Sequence, residues 1–393
     1  MDSNNFIKHI TLENYKSIKK LDLELKPLNV LIGSNGAGKS NLISFFSFLQ
    51  NIIKENLRGY VLDKGGQETF LYYGSKTSVF IYAKIDFVYE SYDFTLIPTL
   101  ANILAFKNEA FVKYTNEQRA LPNTGFSTHL NLESAKLDID DIYNLTSTQH
   151  ADYETRINKI IKYDSKQPCD EDDTVLQVRN NLSNIQVFHF NDTSDTSPLK
   201  ATIANNDNLF LRADGQNLAC MVKLIYDKHP EYYKMIVDTI RNVVPDFHDF
   251  VIRHNSEFLS LEWFNKNNVD IPWKAHYLSD GSLRFIALAV LLLMPSELQP
   301  QVIIIDEPEI GLHPTALNVL SGLIKRASLE RQVIISTQSA TLLSQFEPDD
   351  VIVVDKKDKY SEFRRLSNHD LANWLESYTL GELWETNVIG GRP

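Results

Sequence analysis

The apolar positions of this chain alternate in some stretches and run unbroken in others, and the change of period marks out its elements. Residues 6–12 and the alternating Leu21-Asp22-Leu23-Glu24-Leu25 predict two strands joined by a turn. Residues 28–32 predict a buried strand, and a helix is expected from about 41 to 56. Gly65-Gly66-Gln67 and Gly74-Ser75 then interrupt the pattern. Three β-rich runs, 78–89, 92–100 and 103–114, have short links and predict an antiparallel meander. From about 116 to 184 the chain is polar and poor in long apolar runs. Beyond it, residues 185–190 predict a buried strand, 215–243 helices, and 248–264 short β pieces. No heptad repeat occurs, so a long coiled-coil arm is not expected.

The turn between the strand at 28–32 and the following helix reads Gly33-Ser34-Asn35-Gly36-Ala37-Gly38-Lys39-Ser40. This is a complete phosphate-binding loop, G-x-x-x-x-G-K-S, in its required strand–loop–helix setting. Glycines let backbone N–H groups turn toward a phosphate, and the helix start adds partial positive charge. Lys39 is the candidate contact to the β- and γ-phosphates and Ser40 the candidate Mg²⁺ ligand. Gly33, Asn35, Gly36, Gly38 and Asn41 complete the expected nucleotide contacts.

A second constellation lies far downstream, at Val302-Ile303-Ile304-Ile305-Asp306-Glu307-Pro308. β-Branched residues ending in two acids predict a buried parallel strand that delivers carboxylates at its C-terminal end, where ligands of open α/β sheets bind. Asp306 suits Mg²⁺, through water, and Glu307 suits polarising the attacking water. Upstream, Leu278-Ser279-Asp280-Gly281-Ser282 opens a strongly apolar helix. Its N-terminus is a further anion site, and since the first loop already furnishes a nucleotide pocket, Ser279 and Gly281 are expected to cap the nucleotide of a second subunit. The strand Gln332-Val333-Ile334-Ile335 ends in Ser336-Thr337-Gln338-Ser339, which puts a polar residue beside the acids.

Bulk properties narrow the picture a little. The chain has 393 residues and a net charge of −12, which argues against a generic nucleic-acid coat. Lys8, Lys16, Lys19, Lys20 and Lys26 could line a local basic groove, but they read more readily as a solvated strand edge. The acidic groups at 138–141 and 170–173 read as solvated loop and helix start rather than metal ligands. Two cysteines, Cys169 and Cys220, make neither a disulfide framework nor a metal motif. The opening residues do not read as a signal peptide, and the apolar run at 285–294 is too short to span a bilayer. No membrane association and cytoplasmic residence are expected.

In this order, the pieces resemble the ABC-type ATPase heads of the SMC, RecF and OLD group. GSNGAGKS looks like their Walker A motif, LSDGS the signature, IIIDEP the Walker B motif, EIGLHP the D-loop, and STQS the switch loop. The opening ITLENYKSIKKLDLELKPLNVLIGSNGAGKSNLI and the closing LGELWETNVIGGRP are similar to a compact bacterial set of AAA-family ATPases. The resemblance implies an α/β P-loop NTPase head with a mixed sheet, an antiparallel β-subdomain and a helical insertion. It suggests one interleaved head, with residues 1–115 carrying Walker A, 116–245 the insertion and helical lobe, and 246–393 the signature, Walker B and switch region.

It further implies ATP and Mg²⁺ sandwiched between two heads, with Lys39, Ser40, Asp306 and Glu307 from one and Ser279 and Gly281 from the other. Two positions depart from the group. Gln338 stands where histidine is usual and orients without titrating. Asp280 replaces a common second glycine and needs a base, Arg284 being nearest in sequence. The inter-lobe glutamine has three candidates, Gln67, Gln177 and Gln186.

The expected role is a dimerising ATPase that controls a separately encoded effector, such as a nuclease in antiviral (phage) defence. The stretch after Gln338 is too short for the Toprim nuclease of OLD relatives. A RecF-like DNA-binding repair ATPase is the alternative. A transporter subunit is disfavoured by the long span between Ser40 and Asp306. Trp374, Tyr378 and Trp384 are candidate docking residues, although aromatics near a C-terminus more often pack against the head.

Overall fold

The computed structural model describes residues 5–114 and 170–392. The acids at 138–141 and Cys169 lie outside the described residues, as do the side chains of 170–173. The chain divides into two compact units that interleave in sequence: 1–25, 36–185 and 355–363 form one, and 26–35, 186–354 and 364–393 the other.

The first unit is built on an antiparallel sheet. β1 (His9–Tyr15), β2 (Ile18–Glu24), β4 (Ile81–Asp86), β5 (Glu90–Pro98) and β6 (Leu104–Lys113) pair in the order β2-β1-β4-β5-β6. The meander expected at 78–114 is thus observed as β4 to β6, and register Ile81↔Leu96, Ala83↔Phe94 and Ile85↔Tyr92 sets its apolar residues opposite one another. β1 runs later than its apolar pattern suggests and β2 starts earlier, because Tyr15↔Ile18 closes the ladder and leaves Lys16 and Ser17 as the turn. In the same unit the helix Lys39–Ile53 buries Leu42, Phe45, Phe46, Phe48 and Leu49 on one side. Phe48 packs against Phe70 and Tyr15 at ring separations of 5.3 and 5.8 Å.

The strands of the parallel core belong to the second unit, apart from Ile185 and residues 355–363, which belong to the first. β3 (Leu28–Ile32), β7 (Ile185–Phe188), β13 (Val302–Asp306), β14 (Gln332–Ser336), β15 (Val351–Lys357) and β16 (Tyr360–Arg365) lie in the order β16-β15-β3-β14-β13-β7. β3 runs parallel to both β14 and β15, and β14 runs parallel to β13. The chain leaving β3, β14 and β13 therefore emerges at one sheet edge. β3 is buried throughout, as its unbroken pattern predicts. The helix Asp280–Leu293 is buried continuously from Phe285 onward, as expected of a helix apolar on all sides.

Smaller strands complete the second unit. β9 (Phe247–Phe250), β11 (Glu262–Asn265) and β12 (Asn268–Lys274) form a sheet in the order β12-β11-β9, while β8 (Ile203–Ala204) pairs with β10 (Phe258–Leu259). β12 escaped the sequence pattern because it is an exposed edge strand carrying Pro272, so burial imposes no periodicity on it. Trp384, a candidate docking residue, is instead completely buried, with its indole N–H donated to the Gly391 carbonyl. Trp374 and Tyr378 are exposed and pack on each other.

Candidate nucleotide site

The loop after β3 is held open by contacts that tolerate only glycine at two points. A Cβ on Gly33 would meet the Val354 carbonyl oxygen at 2.3 Å. Gly38 adopts φ +123, and a Cβ there would lie 2.1 Å from the Ser361 hydroxyl. That hydroxyl also bonds the Ala37 carbonyl and pairs with Ser17, so β16 and the β1–β2 turn brace the loop from outside. Gly38 caps the helix Lys39–Ile53 with no side-chain bond, a cap open to an incoming anion. Lys39 is only 5% exposed, whereas Asn35, Gly36 and Ser40 face solvent. Asn41 turns its amide to Ser17, 2.6 Å away, and braces the loop through that bond.

Beside Gly36 in the same unit, Lys16, Ser17, Tyr73, Lys356, Lys359 and Tyr360 line a cleft of about 230 Å³. Lys16 donates to Ser44 at 2.8 Å and lies over the Tyr15 and Phe70 rings. Burial, with a smaller contribution from Lys64, lowers its pKa below the ordinary lysine value.

At the sheet edge of the second unit, the ladder between β13 and β14 ends on the pair Asp306↔Ser336. Side chains continue the cross-linking beyond it. Ser336 donates its hydroxyl to Asp306, and the Gln338 amide donates to Glu307. Glu309 takes the Thr337 hydroxyl and the Gln338 backbone N–H on one oxygen, each at 2.7 Å. Glu307 occupies φ +50, a left-handed conformation that a non-glycine residue adopts only when its surroundings impose it. Its own N–H is tied to the Ser336 carbonyl at 3.0 Å. Burial pushes the Glu309 carboxyl above its ordinary pKa against the pull of those two bonds, and the neighbouring Glu307 adds to the rise.

The signature segment lies in the same unit. Ser279 caps the helix Asp280–Leu293 by accepting from the Ser282 N–H at 3.1 Å, and it is exposed. A Cβ on Gly281 would sit 2.2 Å from the Gly311 carbonyl, so the signature glycine is required by close approach to the loop after Glu309. Arg284 does not neutralise Asp280. Its guanidinium donates to the Ile310 and Asn191 carbonyls at 3.0 and 2.7 Å, because unsatisfied backbone oxygens lie in its reach.

Structure thus brings Asp306, Glu307 and Gln338 together, and sets Ser279 and Gly281 apart on a helix start packed against the 309–311 loop. Sequence reasoning missed Ser336, Glu309 and the bracing pair Ser17 and Ser361. Of the glutamine candidates, Gln67 is buried with its amide oxygen on the Thr99 N–H at 2.8 Å, a structural bond. Gln177 is exposed, and Gln186 donates to its neighbour Val187.

A family model described as an AAA ATPase domain matches residues 6–343. The chain belongs to the AAA ATPase domain family. It is an ATPase, with the head fold of solved SMC proteins. One such head, bound to the C-terminal winged-helix domain of ScpA, superposes with a TM-score of 0.53 at 13% identity, covering 94% of this chain and 99% of that one. The head with coiled coil and joint from Pyrococcus yayanosii gives 0.51 at 11% identity, covering 94% and 99%. At these identities the likeness is one of fold. The DNA replication and repair protein RecF of Lactobacillus acidophilus is 40% identical over 45 residues, which is 11% of this chain and 12% of that protein. The match thus spans only a small part of that relative. Among the described residues no helix is long and apolar enough to cross a membrane.

Proposed function

We propose that this protein hydrolyses Mg²⁺-bound ATP at Gly33–Asn41 together with Asp306 and Glu307, and that the nucleotide joins two copies of the chain. The pairing of Glu307 with Gln338 at the edge from which β3 also emerges is the observation that carries this reading. Lys39 binds the β- and γ-phosphates. Gly33, Asn35, Gly36 and Gly38 offer backbone N–H groups, and Asn41 stiffens the loop through Ser17. The cleft beside Gly36, with its lysines and tyrosines, takes the nucleoside end.

By their chemistry, the Ser40 hydroxyl and the Asp306 carboxylate, both hard oxygens, are the groups we assign to Mg²⁺, and Ser336 orients the latter. When bound, the ion neutralises charge developing on the phosphates. Glu307 accepts the proton of the attacking water. Gln338 holds the Glu307 carboxylate with one amide hydrogen and keeps another donor for the γ-phosphate. Because an amide does not titrate near neutrality, no proton passes through position 338.

Ser279 and Gly281 of a second copy close over the γ-phosphate, which makes association dependent on ATP and hydrolysis its release. We assign this cycle to control of a separately encoded effector, such as a nuclease in phage defence. The identity shared with RecF favours a second reading, DNA binding in repair. The repair reading expects DNA binding by the purified protein alone, with steep loss as salt rises; the effector reading expects weak binding alone.

Ser279→Arg tests the shared site. The chain should still bind ATP, while turnover falls about 10²-fold or more because the second copy cannot close. Wild-type turnover in this variant would refute the assignment.

A further inference from the structure

We propose that Glu309 is a positioning residue: by gripping Thr337 and the Gln338 backbone on one carboxylate oxygen, it sets the Gln338 amide onto Glu307. This rests on the reading of Glu307 and Gln338 given above and assigns the group that holds them in register.

The geometry follows from where the strands end. Main-chain pairing between β13 and β14 stops at Asp306↔Ser336. Just beyond that pair Glu307 turns left-handed at φ +50, with its N–H on the Ser336 carbonyl at 3.0 Å, and Pro308 follows. That bond and the one from the Thr337 N–H to the Leu31 carbonyl, the last main-chain bonds here, do not reach Gln338. Glu309 does: its Oε1 lies 2.7 Å from both the Thr337 hydroxyl and the Gln338 N–H. Thr337 is held further, its N–H on the Leu31 carbonyl at 2.9 Å and its hydroxyl accepting from the Ser339 N–H at 3.0 Å. The Gln338 side chain is the next link, and it ends on Glu307.

The other Glu309 oxygen takes no part in this grip. Oε2 is buried without a hydrogen-bond partner among the described residues. Glutamine would satisfy the same two donors through its amide oxygen at almost the same volume, so the chemistry needed for positioning is one acceptor oxygen at that point.

The test compares four variants of the full chain by steady-state ATPase kinetics, with thermal melting as the control for folding. Gln338→Ala should lower kcat. Glu309→Leu should lower kcat about 10²-fold, the scale of a misplaced reacting group, with KM for ATP within about twofold. Glu309→Gln should recover most of the wild-type rate. The double variant Glu309→Leu/Gln338→Ala should be no slower than Gln338→Ala alone, since residues acting as one unit are not additive. Additive losses, or a Glu309→Leu enzyme at full rate beside a slow Gln338→Ala, would overturn the positioning role while leaving Gln338 in the site. A Gln338→Ala enzyme at wild-type rate would overturn both. If Glu309→Leu fails to fold, Thr337→Val removes one of the two gripped donors and should lower kcat without raising KM; an unchanged kcat there overturns the proposal.

Discussion

Lys39→Ala should reduce ATP turnover at least about 10³-fold, the largest loss expected of any single substitution in this chain. The side chain is nearly buried at the first residue of a helix whose cap is open. An ammonium in such a place acts on phosphate with little solvent screening, and alanine offers nothing in exchange. The loop itself should persist, because Gly33, Gly38, Ser17 and Ser361 shape it through contacts that do not involve Lys39. The check is steady-state hydrolysis with a melting curve beside it. A folded Lys39→Ala protein that hydrolyses ATP at the wild-type rate would remove the loop from the chemistry.

Glu307→Gln should slow hydrolysis about 10²- to 10⁴-fold, the usual worth of a positioned general base, while ATP binding survives. The substitution is nearly isosteric and keeps an oxygen for the Gln338 amide, so the local pairing and the backbone at φ +50 should stand. What disappears is the proton acceptor. Single-turnover measurement should find labelled ATP retained uncleaved on the protein. Rapid ADP release by this variant would mean that another group activates the water.

The two motifs were legible in the sequence because each is a local pattern with its chemistry attached. The glycine loop must follow a buried strand and start a helix, and Leu28–Ile32 and Lys39–Ile53 supply both. The acids must end a buried strand, and Val302–Asp306 does so. The helix start at Ser279 was readable as a cap for the same reason. Glu309 and Ser336 were not, because their roles depend on which strand lies beside which. Only the placement of β14 between β3 and β13 makes Ser336 the partner of Asp306. Arg284 shows the reverse case: sequence proximity suggested Asp280, but tertiary structure brought two backbone carbonyls within its reach. Trp384 is buried although its hydrogen-bond partner, the Gly391 carbonyl, lies only seven residues on, because Gly391 falls outside the helix and carries no periodic signal.

The central claim is that ATP joins two copies through Ser279, and molar mass measured by light scattering on Glu307→Gln tests it most directly. Without nucleotide the variant should run as a monomer, and at saturating ATP as a dimer. Adding Ser279→Arg to the same chain should return it to monomer with ATP still bound. A Glu307→Gln monomer at saturating ATP, or a dimer that Ser279→Arg leaves intact, would contradict the account.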